Sequence, residues 1–264
     1  IKNHRSYGLV LENGDEIYAN KIVSNHDVKR TFLKVVEQNQ LPEDFYLAVK
    51  NFKIRGSSGK LNIALDELPI WKSIPVGDPA GTGDLHITQS IEEMESAYDD
   101  WKDGKWSANP YVDMCVPSIN DPTIAPQGKH YMSVFIQYVP YNLADGGWSE
   151  KKRKEFGKHV MGRIGNYSNN FNDIIRHAEV RTPKELEAEV GLTEGNIFQG
   201  ELTMDQLMFN RPIPGYAQYK TPIENLYMCG SSTHPGGGVM GAPGANAARE
   251  ILRDMNKKIE SHYI

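Results

Sequence analysis

Asn225-Leu226-Tyr227-Met228-Cys229-Gly230-Ser231-Ser232-Thr233-His234-Pro235-Gly236-Gly237-Gly238-Val239-Met240-Gly241-Ala242-Pro243-Gly244-Ala245-Asn246-Ala247-Ala248-Arg249-Glu250-Ile251-Leu252 has the grammar of a strand, a glycine-rich turn and a helix. Leu226 to Cys229 is short, apolar and bounded by turn formers, which predicts a buried strand. Gly236 to Gly238 carry no side chains, so a flat or charged group can lie directly against the main chain. Ala242 to Leu252 predicts a tightly packed helix with small residues along one side. The first turn of such a helix presents unpaired N–H groups and a partial positive charge, which suits an anion.

That anion has two chemical forms here, a phosphate or the N1–C2=O2 edge of a reduced flavin. Residues 236–241 also match G-x-G-x-x-G, the dinucleotide fingerprint. That fingerprint needs a second strand after the helix and an acidic residue ~20 positions on. The sequence ends at Ile264, so the expectation is a helix that closes a fold begun elsewhere. The competing reading is a glycine turn with no ligand, disfavoured because three consecutive glycines before a helix are costly without a reason.

Outward from this motif, the opening of the chain predicts a β-hairpin. Tyr7 to Leu11 forms one strand, Asn13-Gly14 the turn, and Glu16 to Ala19 the return. Lys21 to Ser24 is a further short strand. At Asn25-His26-Asp27 the pattern turns helical, with Val28, Phe32, Val35 and Val36 on one face. Leu61 to Leu65 reads as a strand and residues 75–85 as a loop. Ser90 with Glu93 forms a capping box for a helix through about Trp101. Tyr111 to Pro117 and Tyr131 to Tyr138 are the clearest strands. The second alternates Met132, Val134 and Ile136 with Ser133, Phe135 and Gln137 and is expected to be covered on both faces. Ser149 caps a long helix with Phe156, Val160, Met161 and Ile164 on its stripe. Lys151 to Lys154 near its start reads as a solvated face.

Among 264 residues, 39% are apolar and 24% charged, and the net charge is −5. This is the composition of a globular protein. Without a basic block, neither nucleic acid nor an anionic membrane is the expected partner. No stretch approaches the ~20 apolar residues of a membrane span. Cys115 and Cys229, far apart and each in an apolar run, predict buried thiols in a reducing compartment, cytoplasmic or mitochondrial matrix. The eight histidines have no ligand spacing, so no metal site is expected.

The motif from Gly230 to Gly244 resembles the C-terminal flavin motif of phytoene-desaturase-related FAD oxidoreductases. Three further segments resemble the same family: Gly8 to Asn25, Lys60 to Pro69, and Gly195 to Leu207 followed by Arg211 to Gly215. The resemblance implies an α/β (mixed α+β) fold, the C-terminal part of a two-domain FAD/NAD(P)-binding-type architecture with an inserted substrate domain of mixed sheet plus helices. Residues 1–25 and 222–264 would belong to the FAD domain and residues 26–221 to the substrate domain. Because the chain starts at Ile1 on a hairpin strand, it is expected to be a fragment without the N-terminal G-x-G-x-x-G unit. FAD is then the cofactor of the full-length protein, and the fragment alone need not hold it.

By the same resemblance, Gly230 and Ser231 would lie near the pyrophosphate and ribityl chain. Gly237, Gly238, Val239 and Met240 would line the isoalloxazine. His234 either sits beside the flavin or is a turn histidine, and Asn25 is either near the flavin or a helix N-cap. Gln199 stands where the family is expected to carry His. Tyr138, Tyr141, Trp148 and Gln199 are candidates for lining a cavity for a small, apolar substrate, or plain core and rim residues. No general base stands out. The rival readings are a non-catalytic interaction module without cofactor and a nicotinamide-dependent dehydrogenase.

Overall fold

The structure is a computed structural model that describes residues 1–238 and 240–260. Along the chain run β1 (Gly8–Val10), β2 (Glu16–Tyr18), β3 (Ile22–Ser24), α1 (Glu43–Asn51), β4 (Ser58–Leu65), β5 (Leu85–Ile87), α2 (Ile91–Lys102), β6 (Tyr111–Cys115), β7 (His130–Gln137), α3 (Glu150–Gly165), α4 (Phe171–Ile174), β8 (Ile175–Arg181), α5 (Pro183–Val190), β9 (Leu226–Met228) and α6 (Ala242–Glu260). They form two compact units, Ile1–Arg55 with Gly191–Ile264, and Gly56–Val190. Their junctions fall at 55/56 and 190/191, whereas the sequence pattern suggested 25/26 and 221/222. Residues 26–55 and 191–221 go with the terminal unit because Val28, Phe32, Phe45, Val49, Phe52 and Ile213 share one core with Ile223, Leu226 and Met228.

The continuous unit is built on a five-stranded sheet of order β5-β6-β7-β4-β8. Each neighbouring pair is antiparallel. Period-two alternation sends Leu61 and Ile63 of β4 and Met132, Val134 and Ile136 of β7 to one face, all 0% exposed. The other face of β7, Ser133, Phe135 and Gln137, is only half-buried. The expected cover on both faces is therefore complete on one side alone. Across the buried face lies α3, which inserts Phe156, Val160 and Ile164. Fully burying each such side chain contributes about 1.5–3 kcal/mol.

The helix starts follow local chemistry. Ser149 Oγ accepts from Lys152 N at 3.3 Å, and Ser90 Oγ accepts from Glu93 N at 3.2 Å. Glu93 completes its box one residue early, accepting from Gln89 N at 2.6 Å. Its other oxygen takes Arg163 Nη2 at 2.8 Å. Burial opposes ionisation of Glu93, but these two donors outweigh it and hold the carboxyl below its usual range. The Lys151 to Lys154 cluster pairs with Glu155, Asp145, Glu150 and Glu185, as a solvated helix face does.

In the terminal unit, β1 and β2 pair antiparallel, Gly8 opposite Tyr18. β3 and β9 pair parallel, Ile22 opposite Leu226 and Ser24 opposite Met228. After β3 the chain enters a wide π-turn over Arg30–Val35. Val28, Phe32 and Val36 are buried, but Val35 is 68% exposed. A wider turn aligns positions four apart rather than three and four, so Val35 leaves the expected stripe. Asp27 rather than Asn25 caps the turn, accepting from Arg30 N at 2.8 Å. Asp27 also accepts from Thr193 Oγ1 at 2.6 Å.

Candidate functional site

The parallel β3–β9 pair delivers the chain into the glycine-rich turn. Cys229 N donates to Ser24 O at 2.9 Å, which continues the ladder one residue past β9. The chain then folds on itself: Thr233 N donates to Gly230 O at 2.9 Å and Gly236 N to Thr233 O at 2.7 Å. Ser232, 0% exposed, is the knot of this turn. Its Oγ donates to Gln199 O at 2.6 Å and accepts from Val28 N at 3.1 Å.

Gln199 belongs to this turn. Its Nε2 donates to Asn25 O at 3.3 Å and its Oε1 accepts from Ser232 N at 3.4 Å. A Cβ on Gly230 would stand 2.4 Å from Asn25 O and 2.7 Å from Gln199 Oε1. A Cβ on Gly237 would stand 2.7 Å from Phe198 Cδ1. These two glycines are therefore required by the protein's own packing. Gly238 differs. It is exposed, its φ is +124°, and only Met240 Cε, at 3.6 Å, lies within reach of a Cβ placed there. Met240 is itself 53% exposed. Val239 lies outside the described residues.

Beneath the turn lies Arg211, 0% exposed. Its Nε donates to Ser231 O at 2.9 Å, its Nη2 to Phe198 O at 2.6 Å and its Nη1 to Gln206 O at 3.3 Å. Gly200 O and Glu201 O complete the set at 3.4 and 3.3 Å. Burial alone pulls the guanidinium to about 10, which leaves it charged at neutral pH. No sequence signal marked this residue as a core group, because arginine is ordinarily a surface residue. The only trace was its place in the Arg211 to Gly215 segment.

His234 is half-buried at the exit of the turn. Its carbonyl accepts from Tyr219 Oη at 2.8 Å, and Asn246 Nδ2 of α6 donates to the same hydroxyl at 2.8 Å. His234 Nδ1 is buried and has no hydrogen-bond partner among the described residues. A second tie runs from β9 to α6: Tyr227 Oη donates to Asp254 Oδ2 at 2.9 Å and Lys220 Nζ to Oδ1 at 2.7 Å. Burial and the Asp254 carboxylate push the Tyr227 phenol up. Cys229, half-buried beside the turn, is pushed up by burial.

Gly230, Ser231, His234, Gly237, Gly238 and Met240 thus share one turn with Gln199 beside it. Tyr138 and Tyr141 belong to the other unit. Tyr138 packs edge-on to Tyr98 at 5.2 Å between centroids and lies 6.4 Å from Trp101. Tyr141 Oη donates to Glu187 and carries Lys184 Nζ 3.5 Å over its ring. Trp148 is a core residue: it stacks on Trp106 at 5.5 Å and donates to Pro140 O at 3.0 Å.

A mixed α/β chain with this turn is a relative of phytoene-desaturase-related oxidoreductases. It is 38% identical over 258 residues to pyridine nucleotide-disulfide oxidoreductase domain-containing protein 2 of Rattus norvegicus, covering 95% of this chain and 44% of that protein. It is 33% identical to a limonene dehydrogenase of Castellaniella defragrans, over 98% of this chain and 52% of that protein. It is 27% identical to the chloroplastic prolycopene isomerase of Daucus carota, over 99% of this chain and 40% of that protein. The chain spans about half the length of the curated relatives it matches. A crystal structure of an oxidoreductase from Methanosarcina mazei superposes with a TM-score of 0.52 at 14% identity, covering 96% of this chain and 47% of that one, and shows the shared fold. No family model matches the chain.

Proposed function

We propose that this chain is the C-terminal part of a flavin-dependent oxidoreductase of the desaturase or dehydrogenase type, and that its glycine turn receives FAD. The observation that carries the reading is the two-sidedness of the turn. Its inner side is closed by Asn25, Phe198, Gln199 and Arg211, while Gly238 leaves bare main chain open to solvent beside exposed Met240. Three left-handed glycines, Gly236, Gly238 and Gly241, with φ of +107°, +124° and +64°, hold this shape at little steric cost. The unpartnered Nδ1 of His234 is a further polar group for the cofactor to satisfy.

When bound, the flavin would take an electron pair as hydride from a substrate C–H. The chain's own residues bind and orient it. Gly230 and Ser231 would lie toward the pyrophosphate and ribityl chain, and Gly237, Gly238, Val239 and Met240 against the ring. The α6 N-terminus adds a partial positive charge on the same side. Residues 1–25 and 222–264 would serve the FAD domain and the unit Gly56–Val190 would form the heart of the substrate domain. Within that domain Tyr138 and Tyr141 are proposed to line the cavity, with Gln199 at the cofactor side. A small apolar substrate fits the names of the relatives, among them diapophytoene desaturase of Staphylococcus aureus. Two free, half-buried thiols fit a reducing compartment, cytoplasm or mitochondrial matrix. No helix of the described residues is long and apolar enough to cross a membrane.

The test is cofactor retention by the full-length polypeptide. Wild type is expected to purify yellow, or to become so on reconstitution with FAD. Gly238→Asp is expected to abolish retention by setting a carboxylate against the ring, while Gly238→Asn, with the same shape and backbone strain but no charge, keeps a measurable fraction. Wild-type flavin stoichiometry in Gly238→Asp would remove the ring from this turn.

A further inference from the structure

Arg211 is more than the clamp of the turn requires. Its five bonds go to main-chain carbonyls of Phe198, Gly200, Glu201, Gln206 and Ser231. Among the described residues no carboxylate pairs with it within 4 Å, and burial is the single influence on its charge state. A neutral amide would donate to carbonyls at far lower desolvation cost, because a buried ion without a counter-ion is among the most expensive groups a fold can carry. Carbonyl oxygens satisfy the N–H groups but leave the formal charge. That charge sits directly under the turn: a Cβ on Gly236 would be 3.6 Å from Arg211 Nε. In a dry interior its field reaches the outer side of the turn with little screening.

We propose that Arg211 is an electrostatic positioning residue whose buried charge, held under Gly236, stabilises negative charge on the ligand edge seated on the turn, the N1–C2=O2 edge of the reduced flavin. This rests on the flavin reading above. The balance is one electron pair and one proton onto the ring as hydride, leaving one negative charge that Arg211 and the α6 N-terminus face together. Arg211 does not touch substrate and moves no proton. It makes the reduced, anionic form easier to reach.

The experiment is the midpoint potential of the full-length, FAD-loaded polypeptide for wild type, Arg211→Lys and Arg211→Gln, each checked for intact secondary structure by circular dichroism. Arg211→Gln is expected to bind the reduced cofactor at least tenfold less tightly relative to the oxidised one, a fall of about 30 mV for a two-electron couple. Arg211→Lys, which loses bonds but keeps the charge, is expected to stay near wild type. A clamp alone predicts that both variants lose stability and neither moves the potential, and that result overturns the proposal. Should Arg211→Gln fail to fold, wild type decides. On the acid side of neutrality its potential is expected to fall about 30 mV per pH unit, the slope of one proton per two electrons, whereas about 59 mV per unit means a neutral reduced ring and overturns it. A polypeptide that takes up no FAD at all overturns the flavin reading itself, which separates the two failures.

Discussion

Gly230 sits where two stretches of main chain and one amide side chain converge. Its pro-side-chain position points at Asn25 O, 2.4 Å away, and at Gln199 Oε1, 2.7 Å away. The amide can swing aside, but the carbonyl of Asn25 follows β3 and cannot. Gly230→Ala is therefore expected to destabilise the protein by about 2 kcal/mol, the usual range for forcing a group into a filled site. Denaturant unfolding of the two proteins measures it, and a change under a few tenths would mean that the turn is looser than its packing indicates. The sequence made these glycines conspicuous but misassigned the reason at two of them. Lack of a side chain at Gly230 and Gly237 answers Asn25 and Phe198, partners that lie far off in sequence. Arg211 was illegible for the same cause: its carbonyl partners come from separate stretches of chain, and nothing local marks an arginine as buried.

At the scale of elements, α3 shows glycine in two opposite roles. Gly157 faces the sheet, and a Cβ there would stand 2.4 Å from Val180 Cγ2. Gly162 is exposed, with nothing within 4 Å of its Cβ position. Gly162→Ala is expected to raise stability by about 0.5–1 kcal/mol, through helix propensity and a less disordered unfolded chain. Gly157→Ala is expected to lower it by about 1–3 kcal/mol through overpacking. Thermal or denaturant melts of both variants check the opposite signs, and equal signs would refute the helix's orientation on the sheet. This orientation was legible beforehand, because Phe156, Val160 and Ile164 repeat at helical spacing and β7 alternates with period two. The strands and the Ser90 and Ser149 caps were legible on the same local grounds. The π-turn over Arg30–Val35 was not: hydrophobic spacing of three and four fits an ordinary helix as well, until Val35 is seen in solvent.

For the whole molecule, the two units differ in how their backbone is satisfied. Gly56–Val190 holds a five-stranded sheet in which β4, paired on both sides by β7 and β8, has no free edge. The terminal unit has two pairs of strands, β1–β2 and β3–β9, and the second edge of β9 is met only by a bridge from Lys220 to Tyr227. Two-stranded pairs are marginal in water. Leu9, Val10, Ile17 and Tyr18 on the hairpin are 42%, 68%, 48% and 75% exposed, so burial adds little to hold it. Native-state hydrogen exchange is therefore expected to rank the amides steeply. Leu61, Ile63, Val134 and Ile136 should open only with the global unfolding of their unit, whereas the β1–β2 amides should exchange through local opening at a small fraction of that free energy. The turn after β9 is expected to fall between the two, with the amides of Ser232 and Gly236 protected through the Gln199 and Thr233 bonds. Adding FAD to the full-length polypeptide should raise protection at this turn and leave β4 and β7 unchanged, because a ligand stabilises only the openings that release it. Uniform protection across both units, or a cofactor effect centred on the five-stranded sheet, would contradict this division of stability and the placement of the site.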